Sequence, residues 1–384
     1  MSLLRLAGIF ACTAVAALVL SSERALADHV SCGDTITADT TLDSDLTNCP
    51  NNGIVIGADD LTLDLNGHRI DGDEAPAAGC DPQIELCDIG VLNDGHDGVT
   101  TKDGSMQEFD YGIALGNAHE NRALRISSRR EVFFGAVLFG SARNVIRGGS
   151  FSHNTPPEGD GIGVFGCRHI RIIENEIRAN EGPGVHLRGS SKNVVMGNTF
   201  VRNGPSVAIG GEGGHARANG NQVLGNRVVG GDGIFVGPGD RNVITGNHVS
   251  RATGSIAIER GQHNLVAHNL VARARGSQGI SLGINNPPFG GGGNVVRENR
   301  VKNSREDGFR VAVKDNGSVL RRNIAIAAGD DGFDIQGHST KLAENRALRN
   351  DDLGIDAVRS SIDGGGNLAR RNGNPRQCKS IACS

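Results

Sequence analysis

Hydrophobic residues in this chain do not follow a helical period. From Gly53 onward they alternate with polar residues over runs of four or five positions, and glycine or asparagine interrupts the runs. A block of the form Gly/Ser, apolar, variable, apolar begins at Gly112, Gly135, Gly161, Gly184, Ser206, Gly233, Ser255, Gly279, Gly308, Gly332 and Gly354, returning every 22–29 residues. Most copies continue with a second apolar pair, an asparagine and a third apolar position, as in Asn193-Val-Val-Met-Gly-Asn198-Thr-Phe200 and Asn242-Val-Ile-Thr-Gly-Asn247-His-Val249. Each unit predicts two or three short strands separated by turns. No run of ten or more residues combines helical periodicity with capping signals, so the expected class is all-β.

A strand with alternating apolar positions has one face to bury, and one such unit cannot bury it alone. Stacking successive units in register, about 4.8 Å apart, pairs each strand with its copy in the next coil. The continuous interior would then be built from Ile162, Val164, Val185, Leu187, Ile234, Val236, Phe309, Val311, Phe333 and Ile335. Glycine at each strand start suits a turn with positive φ, and asparagine tolerates the same conformation at a corner. Asn175, Asn198, Asn226, Asn247, Asn269, Asn299, Asn323, Asn345 and Asn372 are expected to stack as one ladder. A leucine-rich repeat has a similar length, but the fixed leucine register and helical return it needs are missing.

Where the Gly-Ile-x-Val and Asn-Val-Val-x-Gly-Asn-x-Phe blocks recur, the chain resembles the parallel β-helix repeat proteins of the pectate-lyase-like superfamily. The resemblance covers roughly Ile54 to Asn372 and implies a single-stranded right-handed parallel β-helix of twelve or thirteen coils. That scaffold hosts polysaccharide lyases, glycosidases, uronate epimerases, copper-site assembly proteins and adhesins, so it implies no single activity. The expected organisation is a leader at 1–27, an edge-covering cap at 28–52, the β-helix at 53–372 with an acidic insertion at 71–88, and a tail at 373–384.

The leader reading rests on Arg5, the apolar stretch Leu6 to Leu20 and the small-x-small site Ala25-Leu26-Ala27. It predicts an exported protein, secreted or extracytoplasmic in the periplasm or at the cell surface, with no membrane span after cleavage. Export permits disulfides, and three close pairs are expected to staple loops: Cys32 with Cys49, Cys80 with Cys87, and Cys378 with Cys383. Cys167 is left over as an unpaired thiol. The net charge of −4 and the absence of any run of five like charges argue against nucleic acid as a partner.

In a solenoid, equivalent positions of successive coils are spatial neighbours, so outward residues can be read as columns. The variable strand position runs Ala114, Val137, Gly163, His186, Ala208, Phe235, Ala257, Ser281, Arg310, Asp334, Asp356. Ionisable groups concentrate toward the C-terminal coils. Arg310, Lys314, Asp334 and His338 are the expected catalytic cluster, with Arg310 beside Asp334 and Lys314 beside His338. His186, Arg188, Glu259, Gln336 and Asp356 are the expected substrate-binding residues. β-Elimination beside a uronate needs such a set, because its α-proton becomes removable only when the carboxylate is neutralised. The expected partner is an acidic polysaccharide or cell-surface glycan, taken by a monomer.

Gly329-Asp330-Asp331-Gly332 with Gly337-His338 resembles the Gly-Asp-Asp and Gly-His pieces of polygalacturonase-type glycosidases, without the Arg-Ile-Lys piece. The resemblance keeps open a hydrolase using Asp307, Asp330 and Asp331. The same three carboxylates are the Ca²⁺ candidate, though no cofactor is required. Asp160, Asp232, Asp307 and Asp331 precede strand-opening glycines, a placement that suits turn residues bonding their own backbone. Trp is absent and Tyr111 stands alone, which disfavours a sugar groove; outward Phe139, Phe165 and Phe235 are the available substitutes. A non-catalytic glycan-binding or structural rod is the alternative from a different class. The few methionines and scattered histidines disfavour copper delivery.

Overall fold

The computed structural model describes residues 29–75, 79, 86–156, 158–211, 216–276, 278–283 and 290–384. The expected leader lies outside the described residues, as does the Cys80 side of the second cysteine pair. Every regular element among the described residues is a strand. One sheet holds fifteen strands in strict succession, from Asp34–Ile36 through Ile54–Ile56 and Ile89–Asp94 to Ile355–Ala357 and Cys378–Lys379, each parallel to the next. This is a single right-handed parallel β-helix of about 14 turns. The count exceeds twelve or thirteen because residues 29–52 supply a coil of their own, with Asp34 opposite Ile54, and the tail adds a last strand with Cys378 opposite Ile355.

Two further columns complete each coil, for example Val194–Met196 and Thr199–Val201, joined at a two-residue corner. In Thr100–Gln107 and Arg122–Arg129 the two columns merge into one long strand. The left-handed residue of the corner precedes the asparagine: Gly197 has φ 65° and Glu174 φ 56°. Asparagine is there for its side chain. Asn226 donates from N and Nδ2 to Asn247 Oδ1 at 2.9 and 3.0 Å, and its Nδ2 also reaches Val195 O at 2.9 Å. The same bonds link Asn175 through Asn345 and end on Asn367, not Asn372. Asn372 belongs to another ladder, where it accepts from Asn350, because it follows the third strand column rather than the second.

The glycines that open the first strand of each coil do not have positive φ. They are needed for close approach: a Cβ on Gly161 would lie 2.5 Å from Gly184 O and 2.7 Å from Ile177 Cγ2. The ten expected interior residues are all at most 1% exposed, and Phe309 stacks on Phe333 with centroids 4.7 Å apart. Disulfides Cys32–Cys49 and Cys378–Cys383 close the two ends, and Cys87 is also disulfide-bonded. Cys167 is a free buried thiol; its Sγ accepts from Ser141 N, and burial pushes it up to about 11. No helix among the described residues is long and apolar enough to cross a membrane.

Candidate functional site

The outer face of the first sheet is where chemistry collects. The register reproduces the variable column: Gly163 pairs with His186, Ser281 with Arg310, Arg310 with Asp334, and Asp334 with Asp356. Above it runs a trough made of three contiguous cavities. The first, 640 Å³, is lined by Tyr111, Phe133, Phe134, Phe139, Phe165, His186 and Arg188. The second, 620 Å³, shares Glu158 and His186 with it and adds Asp160, Phe235 and Glu259. The third, 390 Å³, shares Phe235 and Glu259 and ends at Arg310. Together they cross nine strands, from Tyr111–Gly116 to Phe309–Val311, roughly 40 Å of trough.

The aromatic end forms because the first-sheet strands begin with large residues in successive coils. Ile89, Tyr111, Phe134 and Asp160 are register neighbours, so the rings stack along the helix axis. Tyr111 lies 5.5 Å from Phe133 and 5.8 Å from Phe134 by ring centroids. Phe165 meets Phe134 edge-on at 5.5 Å, stacks on Phe139 at 5.3 Å and meets His186 edge-on at 5.7 Å. Five rings from three coils thus make one platform outside the main core. The sequence showed Phe139 and Phe165 as outward; it gave no sign that Tyr111, Phe133 and Phe134 join them.

Where the platform ends, a histidine–carboxylate pair begins. His186 Nδ1 lies 3.1 Å from Asp160 Oδ2. Asp160 is 1% exposed, its Oδ1 is buried without a hydrogen-bond partner, and burial raises its pKa to about 6 against the opposing pull of His186. In the tautomer protonated at Nδ1, its carboxylate accepts that proton and leaves Nε2 as the free ring nitrogen. Arg188, two residues along the same strand, is exposed at the trough wall. Farther along, burial also pushes the Glu259 carboxyl up, with Arg260 opposing.

The aspartates preceding the strands do not bond their own backbone, because the next coil offers partners at one strand spacing. Asp307 Oδ1 accepts from Asp331 N at 3.2 Å, and Asp331 Oδ1 from Leu353 N at 2.8 Å. The carboxylates of Asp307, Asp330 and Asp331 come within 4.8 Å of one another. Burial, reinforced by neighbouring carboxylates, lifts Asp307 and Asp331 to about 7 and raises exposed Asp330 as well.

The C-terminal cluster comes together only in part. Arg310 Nε is 3.7 Å from Asp334 Oδ2, Gln336 donates to Asp334 Oδ1, and Lys379 Nζ sits 2.8 Å from Asp356 Oδ1. Lys379 was missed because the tail was not read as a coil. Lys314 and His338 are not strand neighbours. The turn after Arg310 is two residues longer than the one after Asp334, since Val319 and Lys341 are opposite each other while Arg310 and Asp334 are too. His338 N therefore binds Asn316 Oδ1 at 3.0 Å, and its ring meets Ser360 Oγ at 2.8 Å. Both side chains are exposed beyond the trough.

Two family profiles match the sequence. The family described as periplasmic copper-binding protein (NosD) matches residues 81–231, and the right-handed β-helix region matches residues 207–372. No curated protein matches by sequence. Solved structures with similar folds include the A-module of the Azotobacter vinelandii mannuronan C-5 epimerase, at 11% identity and TM-score 0.52 over 92% of this chain and 89% of that one. A mannuronic-acid-specific polysaccharide family 6 lyase from human gut microbiota aligns at 14% identity and TM-score 0.51 over 86% and 78%. The pre-mature bacteriophage phi29 gene product 12 aligns at 10% identity and TM-score 0.56 over 91% and 52%. With the parallel coil-to-coil register, these matches establish the fold of the chain as a right-handed parallel β-helix.

Proposed function

We propose that this is an extracytoplasmic carbohydrate-active β-helix that holds an acidic polysaccharide along the trough and cleaves it by β-elimination at His186. The observation that carries the reading is the Asp160–His186 pair set at the end of an aromatic platform beside Arg188. Phe139 and Phe165, the half-buried rings of the platform, offer apolar faces to sugar rings while buried Tyr111, Phe133 and Phe134 support them, and the guanidinium of Arg188 neutralises a uronate carboxylate. His186, oriented by Asp160, takes the proton α to that carboxylate. Its electrons form the new carbon–carbon double bond as the glycosidic carbon–oxygen bond breaks, and the imidazolium returns the proton to the leaving oxygen. The two end disulfides and the periplasmic family match support the extracytoplasmic placement. So do the names of the lyase and epimerase neighbours for the glycan class.

Copper does not fit the residues present. Among the described residues the one group of three His, Cys, Asp or Glu side chains able to share an ion is Asp307, Asp330 and Asp331, a hard-oxygen set. Met106 is fully buried and Cys167 is a buried, protonated thiol. Asp307, Asp330 and Asp331 remain the proposed calcium ligands, and Arg310, Glu259, Gln336, Asp334 and Asp356 the proposed binders at the far end of the trough; Lys314 and His338 drop out of the catalytic set.

The test is turnover of a panel of uronans, followed by absorbance of unsaturated product and by new reducing ends. His186→Gln is expected to lower the elimination rate by about a hundredfold or more. Asp160→Asn should move the pH profile of kcat rather than KM, because it alters the ring nitrogen that His186 presents. Full elimination activity in His186→Gln would overturn the assignment. Reducing ends without absorbance would move the reaction to hydrolysis and to Asp307, Asp330 and Asp331.

A further inference from the structure

Part of this surface matches cations with carboxylates of neighbouring coils: Arg125 pairs with Asp103, Arg143 with Glu120, Arg147 with Glu174, Arg217 with Asp240, and Arg321 with Glu344. Other cations have no such partner, and several of these gather in one strip. On the third strand column, Arg227, His248, Arg251, Arg273 and Lys302 line a cleft of 480 Å³ that contains no carboxylate. Arg300, on the same strand as Lys302, extends the strip. Neither the Lys and Arg side chains of this strip nor His248 has an ion-pair partner among the described residues. The register explains how they meet: Arg227 is opposite His248, Arg251 N bonds Ala272 O, and Arg273 N bonds Lys302 O, so the strip climbs one strand spacing per coil. On the strands themselves His248 is opposite Arg227, Leu270 opposite Arg300 and Ala272 opposite Lys302, so the cations alternate with uncharged residues along the strip.

We propose that this strip is a second binding site, separate from the trough, for an extended anionic polysaccharide. Guanidinium groups bind carboxylates or sulfates in forked pairs, and their spacing of about 4.8 Å per coil presents cations in a line rather than as one pocket. Charge complementarity selects a polyanion. A membrane surface fits less well, because the exposed large apolar side chains among the described residues, Val132, Val313 and Ile362, all lie off this strip. Single-stranded nucleic acid fits less well too, since the cleft offers no Phe or Tyr face for base stacking. The site shares no lining residue with the trough, so it would hold one part of a long chain while another part lies over His186.

The experiment is equilibrium binding of a fluorescent uronan oligosaccharide to the full chain over a range of salt. The Arg227→Gln/Arg251→Gln/Arg273→Gln variant should bind tenfold or more weakly at low salt, with a flatter salt dependence and an unchanged melting temperature. The corresponding Arg→Lys variant should recover most of the binding, which a folding defect would not allow. Arg188→Gln, in the trough, should leave this salt-sensitive component in place, so loss of the catalytic reading does not remove it. Wild-type affinity in the triple Gln variant would overturn the proposal. Tighter wild-type binding to anionic vesicles or single-stranded DNA than to the uronan would overturn it as well.

Discussion

Glu131 shows how a buried carboxyl ties the stability of a coil to pH. It is fully buried, accepts from Phe109 N at 2.8 Å and from Ser128 Oγ at 2.9 Å, and burial pushes its pKa from 4.5 up to about 8. Asp110 and Asp88, one and two coils before it, are raised to about 6 and about 7 by the same cause. The folded state therefore holds protons that the unfolded chain releases, and stability falls as pH rises from about 4.5 through about 8. Glu131→Gln keeps an acceptor for Phe109 and removes the charge. Thermal melts should show a higher Tm for the variant at pH 8.5 and little difference at pH 4; an equal offset at both would refute the linkage. Asp160 carries the same lesson for function. Its sequence position suggested a turn residue, and only the neighbouring coil, which places His186 against it, turns it into an orienting carboxylate.

Strands in this fold are too short to persist singly, and the asparagine ladders hold them in register. Asn247 Oδ1 serves two donors of Asn226, and its own Nδ2 reaches Val223 O at 2.9 Å and Asn269 Oδ1 at 3.0 Å. Asn247→Ala leaves these buried groups unmatched and is expected to cost about 3 kcal/mol in urea unfolding. Asn219→Ala, which removes an exposed bond to Asp240 N, should cost a small fraction of that. Equal effects would mean the ladder does not carry register. At this scale the alternation of apolar residues was readable because a period of two is local. Turn length was not: the two residues added after Arg310 separate Lys314 from His338, and a column read from sequence alone carries every such offset forward.

The molecule as a whole is a one-dimensional stack, in which each coil touches only its neighbours. Its ends lack a neighbour, and the disulfides sit there. Replacing both Cys32 and Cys49 by alanine reopens a loop of sequence separation 17, worth about 3 kcal/mol in the chain-entropy view. Hydrogen exchange should then quicken over residues 29–56 while the central coils keep their protection; uniform loss of protection would show a cooperative unit instead. The repeat period, the inward Ile, Val, Leu and Phe, and two of the three expected cysteine pairs were determined by the sequence alone, because alternation and spacing are properties of a linear string. The aromatic platform, the Asp160–His186 pair and the arginine strip were decided only by stacking. Each joins residues some 21–31 positions apart whose meeting depends on the exact number of residues in every intervening turn.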